Sequence, residues 1–149
     1  MEHVLENLRS LVGTEIGVSG WMEITQQRVD AFADATDDHQ FIHVDPEKAK
    51  LTPFGGTIAH GYLTLSLVVP LAGQVELPVG DPKMAINYGL DRLRYPAPVP
   101  VGSRIRARVK VDDVNEVPGG LQVNRTVTIE IEDTEKPALV AETIVRLYY

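Results

Sequence analysis

The sequence predicts one α+β domain over residues 1–149, a long antiparallel sheet curled around a buried helix, and three observations predict it. A run beginning at His60, GYLTLSLVVPLAG, holds no charged side chain. The second half of the chain is rich in Val and Ile with stretches of alternation. No repeat, low-complexity tract or long linker divides the 149 residues, a length that can enclose a continuous apolar core as one domain.

Taken in order, the first ten residues suit a short helix or coil, and Glu15 to Ile24 has strand character. Thr25 can cap a helix over about Gln26 to Ala35, where Val29, Phe32 and Ala33 follow helical spacing. A polar loop, TDDHQ, follows, and then FIHVDPEKAK, in which Pro46 opens a short helical turn with Glu47 and Lys48 outward.

Gly55 and Gly56 break the chain before the uncharged run, which is apolar on nearly every face and so predicts a helix buried all round. Met84 to Tyr95, Arg104 to Val117, Leu121 to Glu132 and Ala138 to Tyr149 predict four long antiparallel strands in a meander. VPGG and DTEKP supply turn chemistry between the later ones. A wholly apolar helix beside such a sheet is best covered if the sheet wraps around it, the hot-dog arrangement.

Composition removes several functional classes. There is no cysteine, hence no disulfide framework, thiolate metal site or cysteine nucleophile. The formal charge of −7, from 21 acidic and 14 basic residues, opposes binding to nucleic acid. No segment approaches the roughly 20 apolar residues of a membrane span, and MEHVLENLRS lacks the pattern of a secretory signal. The expectation is a cytoplasmic protein with no membrane or nucleic-acid partner.

Asp37, Asp38, His39, Gln40, His43 and Asp45 crowd between a helix and a proline-opened turn, a place where loops commonly carry function. A carboxylate and an imidazole five residues apart, Asp38 and His43, can face one substrate atom if the loop curls, and together offer acid and base groups near neutral pH. Addition of water to a double bond uses such a pair. The same spacing also suits a capping aspartate and a satisfied histidine. Asp37, His39 and Asp45 fit solvated loop or cap positions. A metal site is disfavoured, since HxxxH lies in a loop and no HExxH is present.

Glycines before the apolar helix leave backbone amides near Gly61 free at a helix amino end, where they can hold an oxyanion. At a developing enolate each such donor is worth roughly 3 kcal/mol. The same glycines would equally serve a tight turn and close packing. Arg92, Arg94, Arg104, Arg106 and Arg108 supply positive charge on neighbouring strands, with the last three on one face, where phosphates could dock.

The segments FADATDDHQFIHVDPEKAK and PFGGTIAHGYLTLSLV resemble the MaoC-like dehydratase family, which includes R-specific enoyl-CoA hydratases and nodulation protein N-like proteins. NYGLDRLRYPAPVPVGSRIRA resembles it too, so the likeness runs from about Ile24 onward. It implies Asp38 and His43 as the catalytic pair and the Gly61 amide as donor to a thioester carbonyl. Gln40 and His60 become supporting residues, and Arg92 and Arg94 possible contacts to coenzyme A phosphates. The implied reaction is reversible hydration of a trans-2-enoyl thioester to the (R)-3-hydroxyacyl form. The substrate would be carried by coenzyme A or acyl carrier protein, with no metal or redox cofactor and a homodimeric enzyme. In that family glycine usually precedes the aspartate, and asparagine then proline stand where Gln40 and Phe41 lie. Here Asp37 replaces the glycine.

A homodimer would also cover a final strand ending in IVRLYY, otherwise an exposed apolar edge. Two rival functions remain. A thioesterase on the same fold would release free thiol, and a non-catalytic module would hold an acyl thioester without turnover, unchanged by Asp38→Asn.

Overall fold

Five helical segments precede most of the sheet in the computed structural model, which describes residues 1–149. They and the first two strands run α1 Glu2–Ser10, β1 Glu15–Val18, β2 Met22–Glu23, α2 Gln26–Thr36, α3 Phe41–Val44, α4 Pro46–Ala49 and α5 Gly61–Ala72. Four long strands follow, β3 Met84–Arg94, β4 Arg104–Val117, β5 Gly120–Ile131 and β6 Leu139–Tyr148. All lie in one antiparallel sheet of order β1-β4-β5-β6-β3, with β2 also paired to β4. The sheet wraps around α5, and the fold is the hot-dog fold. No helix is long and apolar enough to cross a membrane.

Alternation along the strands builds the core. Inward residues Ile105, Ala107, Val109 and Val111 of β4 and Leu121, Val123, Val127 and Ile129 of β5 are fully buried, while their neighbours are not. Leu63, Leu67, Val68 and Leu71 of α5 pack onto this inner face. Each such side chain contributes roughly 1.5–3 kcal/mol by leaving water. A second cluster, with Leu5 and Leu8 of α1 against Val111, Leu121 and Leu147, closes the far end of the sheet.

Four expectations change. The strand expected over Glu15 to Ile24 is two short strands split at Ser19, Gly20 and Trp21; Ser19 Oγ accepts from the amide of Ala107 there. The meander holds only for β4, β5 and β6. β3 crosses to the other edge and pairs with β6, because the connection 95–103 carries three prolines and cannot form a tight hairpin. The apolar edge is therefore β3 and not the final strand, which is covered on both sides by β5 and β3. Finally, α5 is buried along one face only. Tyr62 and Val69 are 69% and 56% exposed on the other.

Candidate active site

The loop after α2 is shaped by its ends. Thr25 caps α2 by accepting from the Arg28 amide, and Asp37 closes the helix in the left-handed conformation, φ 58°. That conformation is one in which glycine would be unstrained. Asp45 then caps α4 through the Lys48 amide, with Pro46 at its first turn. Asp37 and Asp45 are thus backbone-shaping residues, as is His39 in a different way. The exposed His39 ring pairs with Asp34 at 2.9 Å, a bond that raises its pKa.

His43 sits on α3 and is buried. Its Nδ1 lies 2.6 Å from the carbonyl oxygen of Ile58. A carbonyl only accepts, so Nδ1 carries the proton and Nε2 of the neutral ring keeps its lone pair. Burial pushes the His43 pKa below its usual value and neighbouring His60 lowers it further, against the opposing pull of the Ile58 carbonyl and of Asp38.

His60, 2% exposed, stacks on His43 with ring centroids 3.9 Å apart and meets the tilted ring of Phe32 at 5.0 Å. Its Nε2 donates to the backbone oxygen of Asp38 at 2.9 Å, which ties the start of α5 to the loop. The Asp38 side chain is exposed, and its Oδ1 lies 3.4 Å from the Gln40 amide. The Gln40 contact is thus through the backbone. Its side chain, at the exposed entry to α3, makes no hydrogen bond within the chain. Ligating atoms of Asp38, His43 and His60 fall within 4.8 Å of one another, the one group placed to hold a cation.

An extended segment, 57–59, delivers the helix end to this pair. Ile58 donates to Ile42, Ala59 to Val99, and Val101 to Thr57. The amides of Gly61 and Tyr62, at the first turn of α5, donate to no protein group. Gly61 is pressed against Tyr95: a Cβ there would lie 3.2 Å from the ring. His43, Phe54, Ile58, Gly61, Thr64 and Tyr95 border a cleft of ≈ 320 Å³. His43 and Gly61 thus border one cleft, and Asp38 approaches it through its proximity to His43.

The arginines divide. Arg104 pairs with Glu132, Arg106 with Glu130, and Arg108 with Glu130 and Glu15, so the face expected to receive phosphates is already neutralised. Arg92 and Arg94 are exposed without ion pairs, Arg94 Nη1 donating to the Leu93 carbonyl. Two site residues escaped the sequence reading. Gln26 donates to the His43 carbonyl at 2.8 Å and accepts from Thr57 at 2.6 Å, and Tyr95 walls the cleft. Neither bears a local signal.

A family model described as "MaoC like domain" matches residues 7–134. The chain belongs to the MaoC-like domain family. Among similar MaoC-like proteins, 3-hydroxyacyl-thioester dehydratase Z of Mycobacterium tuberculosis is 51% identical over 141 residues, covering 94% of this chain and 93% of the relative. Nodulation protein N of Rhizobium leguminosarum bv. viciae is 45% identical over 142 residues, covering 94% and 88%. Of solved MaoC-like structures, the (R)-hydratase from A. caviae superposes with a TM-score of 0.74 at 30% identity, covering 89% and 96%.

Proposed function

We propose that this MaoC-like chain is a hydro-lyase that interconverts trans-2-enoyl and (R)-3-hydroxyacyl thioesters. The observation that carries the reading is a ligating atom of Asp38 within 4.8 Å of one on His43, whose ring, with a free Nε2, borders the same cleft as Gly61 and its unpaired amide. The dehydratase and (R)-hydratase named above support it by similarity.

Asp38 and His43 Nε2 both present acceptor lone pairs to one water. As a proton leaves that water for one of them, its oxygen bonds to the β-carbon and the C=C electrons pass into the thioester as an enolate. The Gly61 amide donates to the enolate oxygen at the α5 end, where the helix dipole favours negative charge. The captured proton then returns to the α-carbon. One water is consumed, both its hydrogens are placed, and the balance calls on no metal or redox cofactor. His60 holds the Asp38 backbone in register and is a positioning residue. Arg92 and Arg94, exposed and without ion pairs, are the arginines of β3 placed to meet phosphates of coenzyme A.

A homodimer in a cytoplasmic setting completes the reading. Its support is the exposed β3 edge, with Ile86, Tyr88 and Leu90 outward, and the uncovered Tyr62 and Val69 of α5.

The test is loss of enoyl absorbance from crotonyl-CoA with chiral analysis of the product. Rapid loss to the (R)-3-hydroxy thioester is expected, falling about a hundredfold or more in Asp38→Asn and in His43→Ala. Release of free thiol, or binding without turnover that is unchanged in Asp38→Asn, overturns it.

A further inference from the structure

Two buried side-chain nitrogens lack any hydrogen-bond partner, His60 Nδ1 at the active site and Nε of Arg125. Arg125 lies on β5 in phase with Leu121, Val123, Val127 and Ile129, all fully buried, so its side chain faces into the sheet's concave side. It opens onto a groove of ≈ 1120 Å³ between the second half of α5 and strands β3, β5 and β6. Val68, Val69, Ala72, Val123 and Val145 give that groove apolar walls, and Asn87 and Thr143 add polar side chains to its lining.

The arginines of β4 each hold a carboxylate, but Arg125 holds none. Two carboxylates border the groove, and neither pairs with Arg125: Glu15 is turned to Arg108, and Glu76 is exposed at the rim. Burial works against the Arg125 charge, yet a guanidinium does not give up its proton in proteins. A half-buried cation whose Nε is shut off from water and unpaired is costly, and the ligand that relieves it must bring an acceptor and an apolar body. A carboxylate matches the planar fork through two parallel bonds, and an aliphatic chain matches the walls.

We propose that this groove binds the carboxylate of an aliphatic chain, held by Arg125. Such a carboxylate is either the distal end of the substrate's own acyl group, a version that rests on the hydratase reading, or that of a separate fatty acid. The first is within reach. Val68 and Val69 lie seven and eight residues beyond Gly61, about 11–12 Å along the helix at ~1.5 Å per residue. An extended chain advances ~1.2 Å per atom, so about ten acyl atoms span the distance. A smaller hollow lined by Leu65, Val69, Asn87, Leu90 and Thr143 lies along the way and shares Val69, Asn87 and Thr143 with the groove.

Hydration of trans-2-decenedioyl-CoA and of trans-2-decenoyl-CoA by the full chain, by Arg125→Met and by Arg125→Gln decides the first source. Calorimetric binding of decanoate alone decides the second. The expected result is kcat/KM at least about tenfold higher for the carboxyl-ended thioester, a preference lost in both variants while hydration of decenoyl-CoA persists. Decanoate bound by the native chain but by neither variant, with no preference among thioesters, supports the site with a separate fatty acid as its occupant. If decenoyl-CoA is hydrated normally and neither the preference nor Arg125-dependent decanoate binding is found, the proposal is overturned. If neither thioester is hydrated, the hydratase reading fails, and the decanoate arm alone decides the groove. Melting curves of both variants establish that they are folded.

Discussion

The imidazoles of His43 and His60 lie face to face, centroids 3.9 Å apart and planes 24° from parallel. Burial of His43 disfavours its charged form and the neighbouring His60 adds to that in lesser measure, so His43 stays neutral to a lower pH than an ordinary histidine. If its Nε2 is the base, kcat/KM must fall as pH drops through the folded-state pKa, with the acid limb centred below 6.5. An acid limb at or above 6.5 would remove His43 from that role. Stability follows the same sign. The unfolded chain takes up the proton first, so the contribution present above pH 6.5 is lost as pH falls below it. The melting temperature of His43→Gln should accordingly fall less between pH 7 and pH 5 than that of the native chain.

Gly61→Ala separates packing from chemistry. The new methyl would meet Tyr95 at 3.2 Å, and that ring, 41% exposed, has room to give by a few tenths of an ångström. Thermal stability should therefore change by less than about 1 kcal/mol, since alanine also favours the helix. The amide aimed at the carbonyl is crowded, and kcat/KM should fall by about ten- to a hundredfold. Trimming the ring with Tyr95→Leu in the same chain should recover much of the loss. An unchanged kcat/KM in Gly61→Ala would place the thioester carbonyl elsewhere.

Much of this architecture was open to a reading of local pattern. Arg104 and Val117 bound β4 as alternation predicted, and Gln26 begins α2 behind its Thr25 cap. Asp38 and His43 stood out because six polar side chains crowd one loop. Partner order is a different matter: β3 alternates no differently from a strand that pairs with its successor, and only the prolines of 95–103 hint that it leaves for β6. Gln26 was hidden because a glutamine after a cap is ordinary. What makes it matter is a 2.8 Å bond to a carbonyl 17 residues away. Arg125, by contrast, was visible in principle, since its phase with Leu121, Val123 and Val127 puts a charge in an apolar row.

Arg92 and Arg94 are exposed and unpaired, whereas Arg106 is held by Glu130 and lies over the Trp21 ring at 4.3 Å. Arg92→Gln with Arg94→Gln should raise KM for crotonyl-CoA by about three- to tenfold with kcat little changed, an effect that shrinks in high salt. With a crotonyl thioester of pantetheine, which lacks the nucleotide phosphates, the double variant should match the native chain. Arg106→Gln should leave KM for crotonyl-CoA unaltered. A loss of equal size on the pantetheine thioester would show that Arg92 and Arg94 act on something other than phosphate.

β3 pairs with β6 on one side and leaves its other edge open, with Ile86, Tyr88 and Leu90 exposed along it. Open, apolar edges invite strand pairing unless charge or proline blunts them, and over Met84 to Leu90 β3 holds neither, its charges Asp91, Arg92 and Arg94 being confined to its last four residues. A second copy meeting this edge would also cover the exposed Val69, which lies beside Tyr88 and Leu90. Light scattering should give twice the chain mass for the native protein, and Ile86→Lys with Leu90→Lys should return it to the single-chain mass. Because the cleft at Gly61 opens beside α5 and the end of β3, hydration should weaken along with the association. A native chain that runs as a monomer at micromolar concentration and still hydrates crotonyl-CoA would show that the site is complete within one copy.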